Sequence, residues 1–163
     1  MFVVEKSVAL DAPIGHVWEL ISKLDGVETW LDDVIEAHYH TKNTSGVGAG
    51  RTCDIRGFGT VVETAVEWKE NETFTLDIQG MPAIIGDAKG TWTLASSGDS
   101  RTNATMRMRV ETRFWPIGAI MERVILRRKF MKNVEGATAA FKRYVETTLT
   151  ASDHDPSTTD ITT

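Results

Sequence analysis

The sequence contains little cysteine and no long apolar run. Cys53 is the only cysteine among 163 residues, so no internal disulfide can form, and no second thiol is present to suggest a zinc or redox site. No apolar stretch reaches the about 20 residues needed to cross a bilayer, and the opening MFVVEKSVAL lacks the basic and apolar regions of a secretory signal. We therefore expect a cytoplasmic protein that is not inserted in a membrane.

An excess of positive charge is also missing. The formal net charge is −5, which opposes binding to the phosphates of nucleic acids or to anionic membranes. Hydrophobic residues make up 41% and charged residues 25% of the chain, close to the averages of globular domains. A chain of this length buries roughly two thirds of its unfolded surface, so a core can form without disulfides or metals.

The hydrophobic pattern predicts an α+β fold that begins with a strand. Apolar residues alternate over residues 2–10, and Pro13 then opens a short helix whose apolar positions recur at helical spacing. A second short helix is expected over residues 27–33. Six more strands are predicted from the segments VIEAHYHT, RTCDIR, VVETAVEW, TFTLDIQ, GTWTLAS and ATMRMRVETRF. The short connections between them favour an antiparallel meander.

A long helix is predicted after Pro116, ending near Leu149. Its expected buried stripe is Ile120, Val124, Arg127, Met131, Val134, Thr138, Phe141 and Val145. The polar tail 150–163 has almost nothing to bury and is expected to be disordered. We thus predict one domain over residues 1–149. Because only this helix is long enough to cover the sheet, the sheet must curve around it, which tends to leave an apolar cavity.

Several segments resemble the START-like, or SRPBCC, superfamily. They are EKSVALDAPIGHVWELISKLDGVETWLDDV, VVETAVEW, IQGMP followed by GTWTL, and FWPIGAIMERVILRRKF ending in FKRYVE. The resemblance covers about residues 2–148 and points to the polyketide cyclase/dehydrase and lipid-transport branch. It implies a helix-grip fold, in which a seven-stranded antiparallel sheet curves around a C-terminal helix and two short helices lie between the first two strands. Function does not follow, because members include carriers, hormone sensors, aromatases/cyclases and chaperone activators.

The candidate cavity residues come from strand alternation, the helix stripe and the resemblance. Met106 and Met108 alternate on one predicted strand, and methionines adapt to irregular contents. Met81 falls in a long connection that corresponds to a lid loop in the family, and Phe58 lies at a hairpin tip. The candidate ligand-binding residues are Trp30, Phe58, Glu63, Leu76, Ile78, Met81, Trp92, Met106, Met108, Ile120, Val124, Arg127 and Met131.

Two charged residues in this set carry alternatives. Arg127 occupies the helix stripe, where it must meet a carboxylate, reach solvent or bind a ligand anion; a small error in helix phase would exchange it with Arg128. The resemblance matches Glu63 to a pocket-facing glutamate of relatives such as the abscisic-acid receptors, and there Glu63 could pair with Arg127. Alternation with Val62, Val66 and Trp68 places it outside, so Glu63 faces the cavity only if a bulge changes the parity of the strand before Val66.

Other chemistry-bearing motifs have simpler interpretations. Cys53 lies in an alternating strand and is expected to be a core thiol. His38 and His40 have the spacing of some metal ligands, but Ile35, Ala37 and Tyr39 form the apolar face, which puts both histidines toward solvent. The GVGAG segment at 46–50 precedes a strand and lacks the phosphate-loop spacing. We predict neither a metal nor a cofactor.

The predicted function is binding of a hydrophobic small molecule, such as a lipid, an aromatic or a polyketide-like compound, as a carrier or sensor. A polyketide cyclase/dehydratase-type enzyme is the alternative, in which a few polar groups transfer protons and proximity supplies most of the rate. A protein-interaction module is a third reading. The chain is expected to be a monomer or a homodimer, without nucleic acid.

Overall fold

A computed structural model describes the backbone of residues 1–113 and 119–152, with side chains for 1–113 and 124–151. The elements are β1 (Phe2–Leu10), α1 (Ile14–Ile21), a 3-10 turn (Val27–Thr29), β2 (Val34–Tyr39), β3 (Gly50–Ile55), β4 (Gly59–Lys69), β5 (Thr73–Gln79), β6 (Ile85–Ser96), β7 (Thr102–Thr112) and α2 (Ala119–Ser152). The predicted α+β order, with its seven strands and long last helix, is confirmed.

All seven strands form one antiparallel sheet in the order β1-β7-β6-β5-β4-β3-β2. The strands from β2 to β7 follow one another as a meander, because each connection is too short for a parallel crossover. The exception is the passage from β1 to β2, which runs from one edge of the sheet to the other through α1 and the 3-10 turn. This passage covers one end of the sheet's concave face.

Helix α2 packs on β1 and β7 and closes the concave face. Its buried residues are Phe130, Val134, Ala137, Thr138, Ala140, Phe141 and Val145. The predicted stripe is therefore right from Met131 onward, since Met131 is half-buried against the core. It is wrong at Val124, which is 48% exposed, and at Arg127, which is exposed as well. The buried side is instead continued by Phe130. The side chain of Ile120 lies outside the described residues.

The core divides into two clusters along α2. Around Phe141 and Val145 it contains Trp18, Phe74, Leu76 and Trp92. The second cluster, around Phe130 and Val134, contains the buried residues Phe2, Val4, Val27, Val34, Ala37, Cys53, Val61, Ile78, Ile85, Ala88, Met108 and Val110. Because each strand contributes alternate residues to this interior, the pleat of the sheet decides which polar side chains enter it.

Two bulges change that alternation. In β2 the pairing shifts between Val34 and Glu36, so Ile35 turns outward and is 59% exposed, although alternation predicted it to face inward. In β4 the shift lies between Ala65 and Glu67. Val66 is the extra residue, and it is 46% exposed. A bulge places two residues of one strand opposite one of its partner, which reverses the parity on either side.

Three smaller expectations differ from the structure. The second short helix is reduced to the single 3-10 turn Val27–Thr29. Because β6 begins at Ile85, the connection after β5 is only Gly80–Ile84, and Met81 does not belong to a long lid loop. Residues 150–152 extend α2 beyond the predicted end, and the rest of the tail lies outside the described residues. Within the described chain, no helix has the length and low polarity required to cross a bilayer.

Candidate functional site

A cavity of about 50 Å³ lies between the concave face of the sheet, α2 and the α1-to-β2 passage. Its lining residues are Ile21, Leu24, Val27, Trp30, Leu31, Arg51, Phe74, Leu76, Trp92, Met106 and Ala137. We call it the inner cavity. It is small beside the roughly 300–1,000 Å³ of pockets that bind drug-sized ligands. In this conformation it admits a small group or a few waters.

Aromatic rings form much of the wall. Phe141 meets Trp92 and Trp30, each with ring centroids 5.4 Å apart, and Trp30 also stacks on Tyr144 at 6.2 Å. Trp30 is only half-buried and comes from the irregular passage before β2, not from a strand or from α2. Met106 is also half-buried. A wall that contains a loop tryptophan and an adaptable methionine can move to enlarge the cavity.

One ion pair enters this apolar interior. Arg51 on β3 and Glu63 on β4 are directly opposite each other in the sheet, and Nε of Arg51 donates to Oε2 of Glu63. Their side chains are 15% and 12% exposed. The pair also fixes the α1-to-β2 passage, because Nη1 of Arg51 donates to the carbonyl of Leu24 at 3.0 Å. Leu24 N–H donates in turn to the hydroxyl of Tyr39 at 3.1 Å.

The pair controls the local electrostatics. Burial lowers the pKa of Arg51, but the attraction of Glu63 and its hydrogen bond outweigh this, so the pKa lies above its ordinary value. The Sγ of Cys53 lies 3.6 Å from Glu63 Oε2, in the same buried surroundings. Burial raises the pKa of its thiol to about 12, and nearby Arg51 lowers it only in part. Cys53 is therefore a neutral core thiol and not a nucleophile.

Arg51 keeps hydrogen-bonding capacity beyond these contacts. A guanidinium has five N–H donors, and its contacts within the described chain occupy Nε and Nη1. Among the described residues that line the inner cavity, Arg51 is also the only charged one. Its remaining donors are therefore available to an oxygen atom that enters the cavity.

A second, larger cavity of about 390 Å³ lies near the beginning of α2. The described residues that line it are Val124, Arg127, Arg128 and Met131, which share one side of the helix. Arg127 and Arg128 are both exposed, so neither is the inward arginine that the helix stripe predicted. Of the three outcomes expected for Arg127, the structure places its side chain in solvent.

The predicted cavity residues fall into several groups. Trp30, Leu76, Trp92 and Met106 come together in the lining of the inner cavity. Ile78 and Met108 are buried in the neighbouring core cluster and do not line it. Val124 and Met131 border the larger cavity with Arg127.

Besides Ile120, whose side chain lies outside the described residues, three predicted positions remain. Glu63 points inward, as the resemblance implies, and its side chain is only 12% exposed. The bulge in β4 makes this possible, because it reverses the alternation between Glu63 and Trp68; it lies at Val66 itself. Met81 is half-buried against the core cluster around Phe130. Phe58 is 37% exposed on the turn between β3 and β4, and its flanking Gly57 and Gly59 have φ values of 69° and 102°.

Arg51 was missed by the sequence interpretation, although a signal for it was present. Arg51 precedes Cys53 by two residues on the same strand, so the two side chains lie on the same face of the sheet. Because Cys53 was expected to be buried, the same expectation applied to Arg51. His38 and His40 are exposed, as predicted. Among the described residues, no three His, Cys, Asp or Glu side chains cluster as metal ligands.

A curved antiparallel sheet around a C-terminal helix, with a cavity between them, defines a helix-grip protein of the START-like class. The family profile described as polyketide cyclase / dehydrase and lipid transport matches residues 1–146. The chain belongs to this family. A search of curated proteins found no significant match.

Solved structures support the same fold at low sequence identity. The Zhui aromatase/cyclase from Streptomyces sp. R1128 has a TM-score of 0.79 and 16% identity, over 93% of this chain and 97% of that one. A START superfamily protein from Mycobacterium smegmatis has a TM-score of 0.72 and 13% identity, over 90% and 98% of the two chains. The di-domain ARO/CYC StfQ of the steffimycin biosynthetic pathway has a TM-score of 0.73 and 12% identity, over 91% of this chain and 52% of that one. At such identities the likeness concerns the fold.

Proposed function

We propose that the protein binds a hydrophobic small molecule in the inner cavity, as a carrier or sensor that works in a reducing cytoplasm. The observation that carries this proposal is the described lining itself, in which aromatic and aliphatic side chains surround the guanidinium of Arg51. Binding sites for small molecules share this composition, with much apolar surface and few oriented polar groups. A lipid, an aromatic or a polyketide-like compound fits that description.

The ligand has an apolar body and at least one oxygen acceptor. The apolar body would contact Trp30, Trp92 and Met106, while the unused N–H donors of Arg51 would bind the oxygen. A carboxylate or enolate oxygen gains most, because hydrogen bonds between charged partners are the stronger ones. Glu63 holds the guanidinium of Arg51 in place and already balances its positive charge. A ligand with a neutral carbonyl oxygen could therefore bind Arg51 as well.

Binding requires the inner cavity to expand. Its volume of about 50 Å³ is far below that of a drug-sized ligand. Trp30, Leu31 and Met106 are apolar lining residues that are only half-buried, so they can move with less loss of packing than the fully buried ones. Their displacement would enlarge the cavity toward the α1-to-β2 passage, where Leu24 is tied to Arg51.

Two positions on α2 give a matched test. Ala137 is buried and lines the inner cavity, whereas Ala139 is exposed on the same helix. Ala137→Leu should fill the cavity and weaken binding of the apolar fluorophore N-phenyl-1-naphthylamine at least tenfold, while Ala139→Leu leaves it unchanged. Native mass spectrometry of freshly purified wild-type protein should show a retained small molecule. Equal probe binding by both variants, with circular dichroism confirming their folds, would refute the inner cavity as the site.

The contribution of Arg51 has its own test. 8-Anilinonaphthalene-1-sulfonate has a similar apolar body and adds a sulfonate, so Arg51→Gln should weaken its binding more than that of N-phenyl-1-naphthylamine. Circular dichroism again checks the fold. An equal loss for the two probes would assign Arg51 a role in structure only.

An enzyme of the cyclase/dehydratase type is the second candidate. The observation that favours this enzyme is Glu28, which is adjacent to the lining residue Val27. The Oε2 atom of Glu28 is buried without a hydrogen-bond partner among the described residues. A carboxylate in such a position can accept a proton from a ligand that an arginine orients. Under this reading Glu28→Gln abolishes turnover of a polyketone and leaves its affinity nearly intact. Under the carrier reading no turnover is detected with either protein.

A further inference from the structure

The first described turns of α2 carry a concentrated positive charge. Arg127, Arg128, Lys129 and Lys132 are all exposed and fall within six consecutive residues. The whole chain has 18 lysine and arginine residues against 23 acidic ones, so this segment opposes the overall charge. We call these four residues the basic patch.

The basic patch is not neutralised by the described part of the chain. The ion pairs in the described part of the chain involve basic side chains outside the patch. One is Lys142 on the same helix, whose Nζ lies 2.7 Å from Oε1 of Glu146. Glu135 follows Lys132 by three residues but makes no such contact. Arg128 and Lys132 are instead neighbours at the i and i+4 positions, where like charges repel. An anionic partner would remove this repulsion.

Two exposed aliphatic side chains lie among these cations. Val124 is 48% and Ile125 is 52% exposed. Helical spacing puts Ile125 beside Arg128 and Lys129, and puts Val124 beside Arg128. Cations mixed with aliphatic residues are the composition of helices that lie at a membrane interface, where lysine and arginine meet lipid phosphates and apolar side chains enter the acyl boundary.

We propose that the basic patch, with Val124 and Ile125, docks the protein on an anionic lipid surface. An acidic protein would satisfy the charges equally, but it would need a groove shaped for two aliphatic side chains on a convex helix, whereas a lipid interface accepts them without a preformed shape. The larger cavity is bordered by Val124, Arg127 and Arg128. Docking therefore places the larger cavity next to the lipid surface. This docking is independent of the ligand proposed for the inner cavity.

Vesicle co-sedimentation of the full chain tests this proposal. The wild type should bind vesicles of phosphatidylcholine with phosphatidylglycerol and not pure phosphatidylcholine, and added salt should weaken the binding. Each cation near an anionic surface contributes about 1 kcal/mol, which is about fivefold in affinity at 25 °C. Arg128→Gln with Lys132→Gln should therefore weaken binding by roughly 20- to 30-fold. Ile125→Gln should weaken it at high salt as well as low salt.

The control has the same charge change elsewhere. Lys23→Gln with Lys69→Gln removes two exposed cations outside the patch and should leave vesicle binding within about twofold of wild type. Equal losses in the two double variants would overturn the proposal, as would a wild type that ignores anionic vesicles. If the wild type ignores vesicles but binds polyglutamate through Arg128 and Lys132, the partner is an acidic protein and the lipid assignment is wrong.

Discussion

Arg51 and Glu63 lie directly opposite each other on adjacent strands and form an ion pair on the concave face of the sheet. Their side chains are 15% and 12% exposed, so each depends on the other for compensation of its charge. The consequences of this pairing can be measured separately from any ligand.

Removing one member of this pair should destabilise the protein more than removing both. Glu63→Leu leaves the guanidinium of Arg51 uncompensated, and breaking a buried pair costs about 3–5 kcal/mol, somewhat less for residues that retain partial exposure. Arg51→Met together with Glu63→Leu removes both charges and should recover about half of that loss. Urea denaturation of the wild type, both single variants and the double variant gives the coupling energy. Strict additivity of the two single effects would contradict the pairing.

Cys53 should make the protein less stable at alkaline pH. Its folded-state pKa is about 12 against an ordinary value of 9.0, so below pH 9 the thiol is neutral in both states and costs nothing. Between these values the unfolded chain loses the thiol proton while the folded chain keeps it, so stability falls by about 1.4 kcal/mol per pH unit.

Lysine and tyrosine residues also titrate in this range, so the measurement is a difference. The free energy of unfolding of the wild type should fall more steeply between pH 9 and pH 10.5 than that of Cys53→Ala, which has no thiol. Parallel slopes for the two proteins would show that Cys53 ionises equally easily in both states. Labelling of Cys53 by a thiol reagent should be slow unless the protein is unfolded.

The register of α2 predicts unequal effects for two of its apolar residues. Phe141 is fully buried and contacts Trp30 and Trp92, so Phe141→Ala should cost about 3–5 kcal/mol. Val124 is 48% exposed, and Val124→Ala should change stability by no more than about 0.5 kcal/mol. Thermal and urea denaturation compare the two variants. A large loss for Val124→Ala would mean that the buried stripe extends to the start of the helix.

Two glycines should respond oppositely to alanine. Gly136 is exposed within α2, and an added Cβ there meets nothing within 4 Å, so Gly136→Ala should stabilise the helix by about 1 kcal/mol. Gly80 has φ of +84°, and its added Cβ would lie 2.7 Å from the carbonyl oxygen of Thr60. Gly80→Ala should therefore destabilise by about 1–3 kcal/mol. Calorimetric melting temperatures should move up for one variant and down for the other.

The fold was predictable because it depends on periodicity repeated over many residues. Seven strands and a helix that ends near Leu149 follow from alternation and helical spacing, and small errors at their ends do not alter the topology. The failures lie where the period is interrupted. Ile35 turned outward at one bulge, and Glu63 could not be assigned until the bulge at Val66 was known.

The site was only partly predictable for a related reason. Trp30, Leu76, Trp92 and Met106 follow from apolar patterning, which identifies interior residues but does not distinguish cavity walls from solid core. Arg127 falls on the predicted apolar stripe, but the side of α2 that packs on the core there carries Leu126 and Phe130, so Arg127 lies in solvent. Arg51, which does line the cavity, sits in a strand with few apolar residues and gave only the signal of its parity with Cys53.

The extra residue in β4 lets one strand serve two different surroundings. Ahead of Val66 the inward positions end with Glu63 and Ala65, while beyond it the inward position is Trp68, which packs on Trp18 and Phe74. An uninterrupted pleat would turn either the acid or the tryptophan out to water. Deleting Val66 would therefore turn the inward-facing side chains of one half of β4 outward. With Val66 present, one continuous strand contributes both the carboxylate of Glu63 and the ring of Trp68 to the interior.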